Sequence, residues 1–111
     1  MSGPLVRIKR LILAGRYRFT DKATVERESD SLSEKDVLES IMNAQRIYKT
    51  INSTSPQKKT RREKLYVILS FNYDDILVYT KGKIDQEPDG SDTFYVLVSS
   101  KRSVYDKELR K

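Results

Sequence analysis

Apolar residues in the first part of the chain recur at helical spacing. Leu5, Ile8, Leu11 and Ile12 fall on one stripe, Pro4 suits a first turn and Gly15 a stop, which predicts a helix over residues 4–14. Tyr17 to Thr20 predicts a short strand or extended segment leading into a second, acidic helix near residues 21–30. Ser33 followed by Asp36 has the spacing of a capping box, and Val37, Leu38, Ile41 and Met42 supply the apolar face of a third helix.

After Asn43 the period shortens. Arg46–Ile51, Lys64–Ser70, Asp75–Lys81 and Thr93–Lys101 are short, rich in β-branched and aromatic residues, and separated by turn chemistry, so four strands are expected. FNYDD reads as a short turn and EPDGSD as a loop, each between successive strands, while NSTSPQKKTRR reads as a mobile polar loop. The expected class is α+β: two to three N-terminal helices on one face of a small antiparallel sheet. Residues 1–102 would form one domain, and 103–111 a basic tail.

Alternation sorts the strand residues into two faces. Leu65, Val67 and Leu69 oppose Lys64, Tyr66 and Ile68; Ile76 and Val78 oppose Leu77, Tyr79 and Lys81; Phe94, Val96 and Val98 oppose Tyr95, Leu97, Ser99 and Lys101. If the purely aliphatic faces meet the helices, the open face presents Tyr66, Tyr79 and Tyr95 with Lys64, Lys81 and Lys101. Rings interleaved with lysines can stack bases and hold phosphates, although tyrosine and lysine are also ordinary at half-exposed strand positions.

Charge sharpens this picture. The 111 residues carry a net charge of +6, and residues 1–20 hold Arg7, Lys9, Arg10, Arg16 and Arg18 without a single acid. Residues 21–43 are mainly acidic, and basic charge returns with Arg46, Lys49 and QKKTRREK, which includes Arg61, Arg62 and Lys64. A segregated basic field attracts polyanions, nucleic acid first among them; a solvated charged surface is the plainer alternative. With neither cysteine nor histidine, disulfides, thiolate metal sites and most transition-metal sites lose their ligands. DQEPDGSD has acids in a calcium-loop pattern but puts Val96 where a bidentate glutamate is needed, so a hairpin loop explains it better. No P-loop, dinucleotide glycine pattern, membrane-length apolar run or signal peptide is visible, so a soluble, cytoplasmic protein without cofactor or metal is expected.

RNA cleavage remains chemically open, because the RNA 2′-hydroxyl supplies the nucleophile and no metal is obligatory. Arginine and lysine can stabilise the anionic phosphorane, and tyrosine or a lysine with cationic neighbours can move protons.

The order of elements and the stretch GRYRFTDKA resemble the small RelE-like toxins of bacterial toxin–antitoxin operons, in the group that contains the BrnT and MqsR toxins. The matching residues are Gly15, Tyr17, Phe19, Thr20 and Lys22-Ala23, then Ser33, Asp36, Val37 and Ile41, within a similarity spanning roughly residues 5–100. Lys22 stands where many relatives carry histidine, and MqsR-type toxins differ there too. IYKT resembles the stretch that places an active-site lysine in MqsR-type toxins, which makes Lys49 its match. KLYVIL resembles the strand carrying a functional tyrosine, which points to Tyr66; in the alternative register ILVYTK takes that role, with Lys101 ending the sheet. Strict alternation instead sets Lys49 beside Ile47 and Ile51, with Arg46 and Tyr48 on the opposite face; a bulge or an edge position would reconcile the two.

The resemblance implies a RelE-like fold and a metal-independent endoribonuclease, an mRNA interferase that inhibits growth. Lys49, Lys101, Tyr66 and Lys22 would be the catalytic groups. Arg16, Arg18, Arg46, Tyr48, Arg61, Arg62, Lys64, Tyr79, Lys81, Tyr95 and Arg102 would bind RNA. It also implies a cognate antitoxin of zinc-ribbon or helix-turn-helix type. The rival reading is a non-catalytic basic module that binds RNA or an acidic protein.

Overall fold

The computed structural model describes residues 3–54 and 62–103, with the backbone path only at positions 53, 54 and 62. Its elements are α1 (Pro4–Leu13), β1 (Tyr17–Phe19), α2 (Asp21–Ser29), α3 (Glu34–Asn43), β2 (Lys49–Thr54), β3 (Arg62–Phe71), β4 (Leu77–Gln86) and β5 (Asp92–Arg102). The expected α+β class and helix positions are observed. Residues 55–61 of the expected loop and the tail beyond Ser103 lie outside the described residues.

Local chemistry explains the helix limits. Pro4 occupies the first turn of α1, and Gly15, at φ 73°, ends it. The Arg16 N–H then reaches the Leu11 carbonyl (2.8 Å) and the Gly15 N–H that of Ile12 (3.0 Å), a pairing that needs the left-handed turn glycine adopts freely. Thr20 caps α2 by accepting from the Ala23 N–H (3.2 Å). Ser33 and Asp36 form the reciprocal capping box that starts α3.

The sheet has five strands in the order β1-β5-β4-β3-β2. It is mixed rather than antiparallel, because β1 pairs parallel to β5 while the other neighbours are antiparallel. The parallel pair is permitted by a long excursion: three further strands and two helices intervene between β1 and β5. The three helices contribute Ile8, Leu11, Ile12, Ala23, Val37 and Ile41 to one core with Tyr66, Ile68, Val78, Tyr95 and Leu97 of the sheet.

α2 does a second job at the β5 edge. Beyond β1 that strand would expose N–H groups, but Glu26 Oε1 accepts from Ser100 N–H (3.2 Å) and Asp30 Oδ2 from Arg102 N–H (2.8 Å). Glu26 and Asp30 are four residues apart, so one helical face delivers both carboxylates to alternate amides of the strand. The acidic character of α2 is therefore partly a seal on the sheet.

Candidate nucleic-acid interface

Ladder partners stand side by side on the same face of a sheet, so register sorts the side chains. Tyr66, Ile68, Tyr95 and Leu97 face the helices. Residues out of step with them face the other way, where none of the helical core residues packs. On that outer face Lys49, Val67, Lys81 and Ser99 form one row from β2 to β5. Leu69, Tyr79 and Lys101 form the next row, and Arg18, Val96 and Lys83 lie in a third.

This reverses the expected faces of β3 and of the first part of β5, whereas β4 keeps its expected assignment, with Val78 in the core and Tyr79 and Lys81 on the outer face. Tyr66 is 8% exposed and Tyr95 0%, both beneath the helices, so neither is open to a nucleic acid. The reason is volume: the space between sheet and helices takes large side chains, and Gly82 makes room for the Tyr95 ring. A Cβ at Gly82 would lie 2.5 Å from Tyr95 Cζ. Burial also holds the Tyr95 phenol well above its ordinary value, with nearby Tyr66 adding to the effect. The outer face instead sets Val67 and Val96 between cations. Val67 is fully buried although it sits between Lys49 and Lys81 in the ladder; lysine stems can cover such a residue while their ammonium heads reach water.

Lys49 illustrates why strict alternation misleads. Ile47 packs against the helix-side core, yet Lys49, two residues on, pairs with Val67 on the outer face. The Tyr48 N–H donates to the carbonyl of the same Val67 (2.8 Å), so Tyr48, just ahead of β2, and Lys49 both oppose one residue of β3, as in a bulge. A second register shift falls at Lys81/Gly82.

The outer face therefore gathers Arg18, Lys49, Tyr79, Lys81 and Lys101 of the expected residues. Lys101 Nζ lies 5.3 Å from the centre of the Tyr79 ring, a cation–π contact between direct ladder partners. Lys49 and Lys81 are two strand steps apart, about 10 Å at the usual spacing. Arg18, Lys49 and Lys81 have no carboxylate partner among the described residues. Lys83, in contrast, is held by Glu63 (3.4 Å) and Asp85 (3.9 Å).

The remaining expected residues lie elsewhere. Lys22 is on α2, ion-paired with Glu26 (3.2 Å), whose other oxygen accepts from Ser99 Oγ (2.7 Å). That chain of contacts sets Lys22 at the β5 end of the Lys49–Lys81–Ser99 row, its charge partly answered. Arg16 is exposed ahead of β1, and its carbonyl accepts from Tyr95 N–H (3.0 Å). Arg46 and Tyr48 are exposed in the approach to β2. Lys64 and Arg102 are exposed but pair with Asn52 and Val78, which assigns them the helix-side parity rather than the outer face. The Arg62 backbone pairs with Thr54, and Arg61 lies outside the described residues. Lys83 and Phe94 belong to the outer face and were not among the expected residues; the Lys81–Lys83 spacing of two was the signal for the first.

Among the described residues no helix is long and apolar enough to cross a membrane. Comparison with protein-family models, curated proteins and solved structures finds nothing that matches this chain.

Proposed function

We propose that the outer face of the sheet binds single-stranded RNA and cleaves it without a metal, as the toxin component of a bacterial toxin–antitoxin pair. The observation that carries this reading is the grouping of Lys49, Tyr79 and Lys101 on the sheet face opposite the helical core, flanked by Lys81 and Arg18. It favours the register of the family resemblance in which ILVYTK, rather than KLYVIL, carries the functional tyrosine.

Phosphates lying across β2 to β5 would meet Lys49, Lys81 and Lys101 in turn, and a base can stack on Tyr79. In cleavage the 2′-oxygen bonds to phosphorus, its proton leaves, and the bond to the 5′-oxygen breaks. A 2′,3′-cyclic phosphate and a 5′-hydroxyl are the products. Lys49 and Lys101 are assigned to the extra negative charge of the phosphorane, and the Tyr79 hydroxyl to proton transfer. Tyr66 is withdrawn from that role because it is buried under the helices. A cognate antitoxin would silence the protein by covering this face or by adding a strand to the outer edge of β2, the last strand of the sheet.

The test uses purified protein, end-labelled single-stranded RNA and excess EDTA. Cleavage that is lost in Lys49→Ala and Lys101→Ala supports the assignment. Cleavage unchanged in both variants rejects it. RNA retarded on a gel but left intact would select the non-catalytic binding module instead.

A further inference from the structure

A second surface lies on the helix side of the molecule. An open groove of about 440 Å³ is lined by Tyr17, Leu38, Met42 and Tyr73, with Glu34, Lys35 and Glu39 at its rim. Its most exposed aromatic is Tyr73, 68% exposed at the tip of the β3–β4 turn. An aromatic side chain left in water on a loose turn would be unremarkable, but this turn is held firmly.

Three residues on one face of α3 staple it. Asp36 Oδ1 accepts from Asn72 Nδ2 (3.1 Å), Glu39 Oε1 from the Tyr73 N–H (3.2 Å), and Asn43 Nδ2 donates to the Phe71 carbonyl (3.0 Å). Inside the turn, Asn72 Oδ1 accepts from both Asp74 and Ile76 N–H groups at 2.9 Å. Asp75 closes it at φ 62°, a conformation that aspartate tolerates better than most residues. The wall that presents Tyr73 is thus ordered before any partner arrives, which lowers the entropic cost of docking.

Charge indicates the occupant. Glu34 and Glu39 rim the groove, and Asp74 and Asp75 follow Tyr73 in the turn. Lys35 is the opposing cation, and it already faces Glu39 at 3.9 Å. This is the opposite sign to the outer sheet face, so a polyanion is repelled here and a cationic chain is drawn in.

We propose that this groove docks a basic segment of a partner protein. One apolar side chain of that segment enters between Leu38, Met42 and Tyr73, and its lysine or arginine neighbours face Glu34 and Asp74. This surface is independent of the RNA reading and stands or falls separately.

The test pans a displayed library of random peptides of about a dozen residues on the whole immobilised protein, then measures the winners as synthetic peptides. Expected winners carry an apolar anchor flanked by lysine or arginine. Their affinity should fall about tenfold in Tyr73→Ala and in Glu34→Lys, both surface changes, and should weaken with salt. Winners that are acidic, or that bind both variants as well as the wild type, would overturn the proposal. So would the absence of enrichment over an unrelated protein.

Discussion

Replacing Gly82 by alanine should damage this protein more than any other single added methyl group that its structure makes easy to judge. The new Cβ would lie 2.5 Å from both Cζ and Oη of Tyr95, and 2.8 Å from the Val96 carbonyl oxygen. Comfortable carbon contacts are about 3.5–4.0 Å, so the overlap with the ring is about 1 Å. Tyr95 is fully buried and cannot swing aside, and the Val96 carbonyl belongs to the neighbouring strand. Overpacking of this kind costs about 1–3 kcal/mol. Two obstructions, one of them backbone, place the expected loss near the upper end, about 3 kcal/mol. Relief of the glycine's excess unfolded-state freedom returns about 0.5–1 kcal/mol of it. The net change should lower the melting temperature by about 10–15 °C in a domain of this size. Urea unfolding followed by circular dichroism measures it directly. The companion variant Tyr95→Leu removes the ring that obstructs the methyl group. In the Gly82→Ala background it should therefore cost at least about 1 kcal/mol less than it does alone. A Gly82→Ala protein within about 0.5 kcal/mol of wild type, or strict additivity of the pair, would refute the packing account.

Other consequences are smaller or conditional. Asn72→Ala removes the acceptor for two backbone N–H groups and the link to Asp36, and should cost about 2–3 kcal/mol in the same unfolding assay. Glu26 is pushed up by partial burial, but hydrogen bonds from Ser99 and Lys22 and the Ser100 N–H outweigh this and leave it below its ordinary value. A carboxylate lowered on folding contributes stability above its unfolded value and loses it as pH falls through the folded one. The stability gap between wild type and Glu26→Gln should therefore be full at neutral pH and close in acid below pH 4.5. If Arg18, Lys49, Lys81 and Lys101 each hold a phosphate, log affinity for single-stranded RNA should fall with log salt at a slope of about −2.8. Lys81→Ala should flatten that slope by about 0.7, and a Lys64→Ala slope equal to wild type would confirm that the helix-side lysine does not take part.

The helices were legible because their signals are local. A stripe at helical spacing, a proline, a glycine and a capping box each act within one or two turns, and Gly15 and Ser33 behave as their residue types dictate. The sheet was legible as strands but not as faces. Both faces of β3 to β5 carry apolar residues, so alternation separates two sets without saying which one meets the helices. The deciding fact is long-range: the room above Gly82 that admits Tyr95. Bulge-like irregularities at Tyr48 and Lys81/Gly82 then shift the parity that alternation assumes. The parallel place of β1 and the use of Glu26 and Asp30 to close the β5 edge are likewise tertiary facts. In the candidate site, the lysines of IYKT, VYTK and VSSK were all visible in the sequence. Their convergence with Tyr79 rather than Tyr66 depended on which face lay open.

That distinction gives the most direct measurement: the rate of metal-free cleavage of a single-stranded RNA by Tyr79→Phe and Tyr66→Phe proteins, with the new ends analysed. Loss of a proton-transfer group costs about a hundredfold or more, whereas a buried hydroxyl far from the substrate should matter little once folding is matched. Wild type and Tyr66→Phe should leave 2′,3′-cyclic phosphate ends, and Tyr79→Phe should cleave at a rate at least about a hundredfold lower. A Tyr79→Phe protein that cleaves at the wild-type rate, or a Tyr66→Phe protein that is well folded and inactive, would contradict the role given to Tyr79.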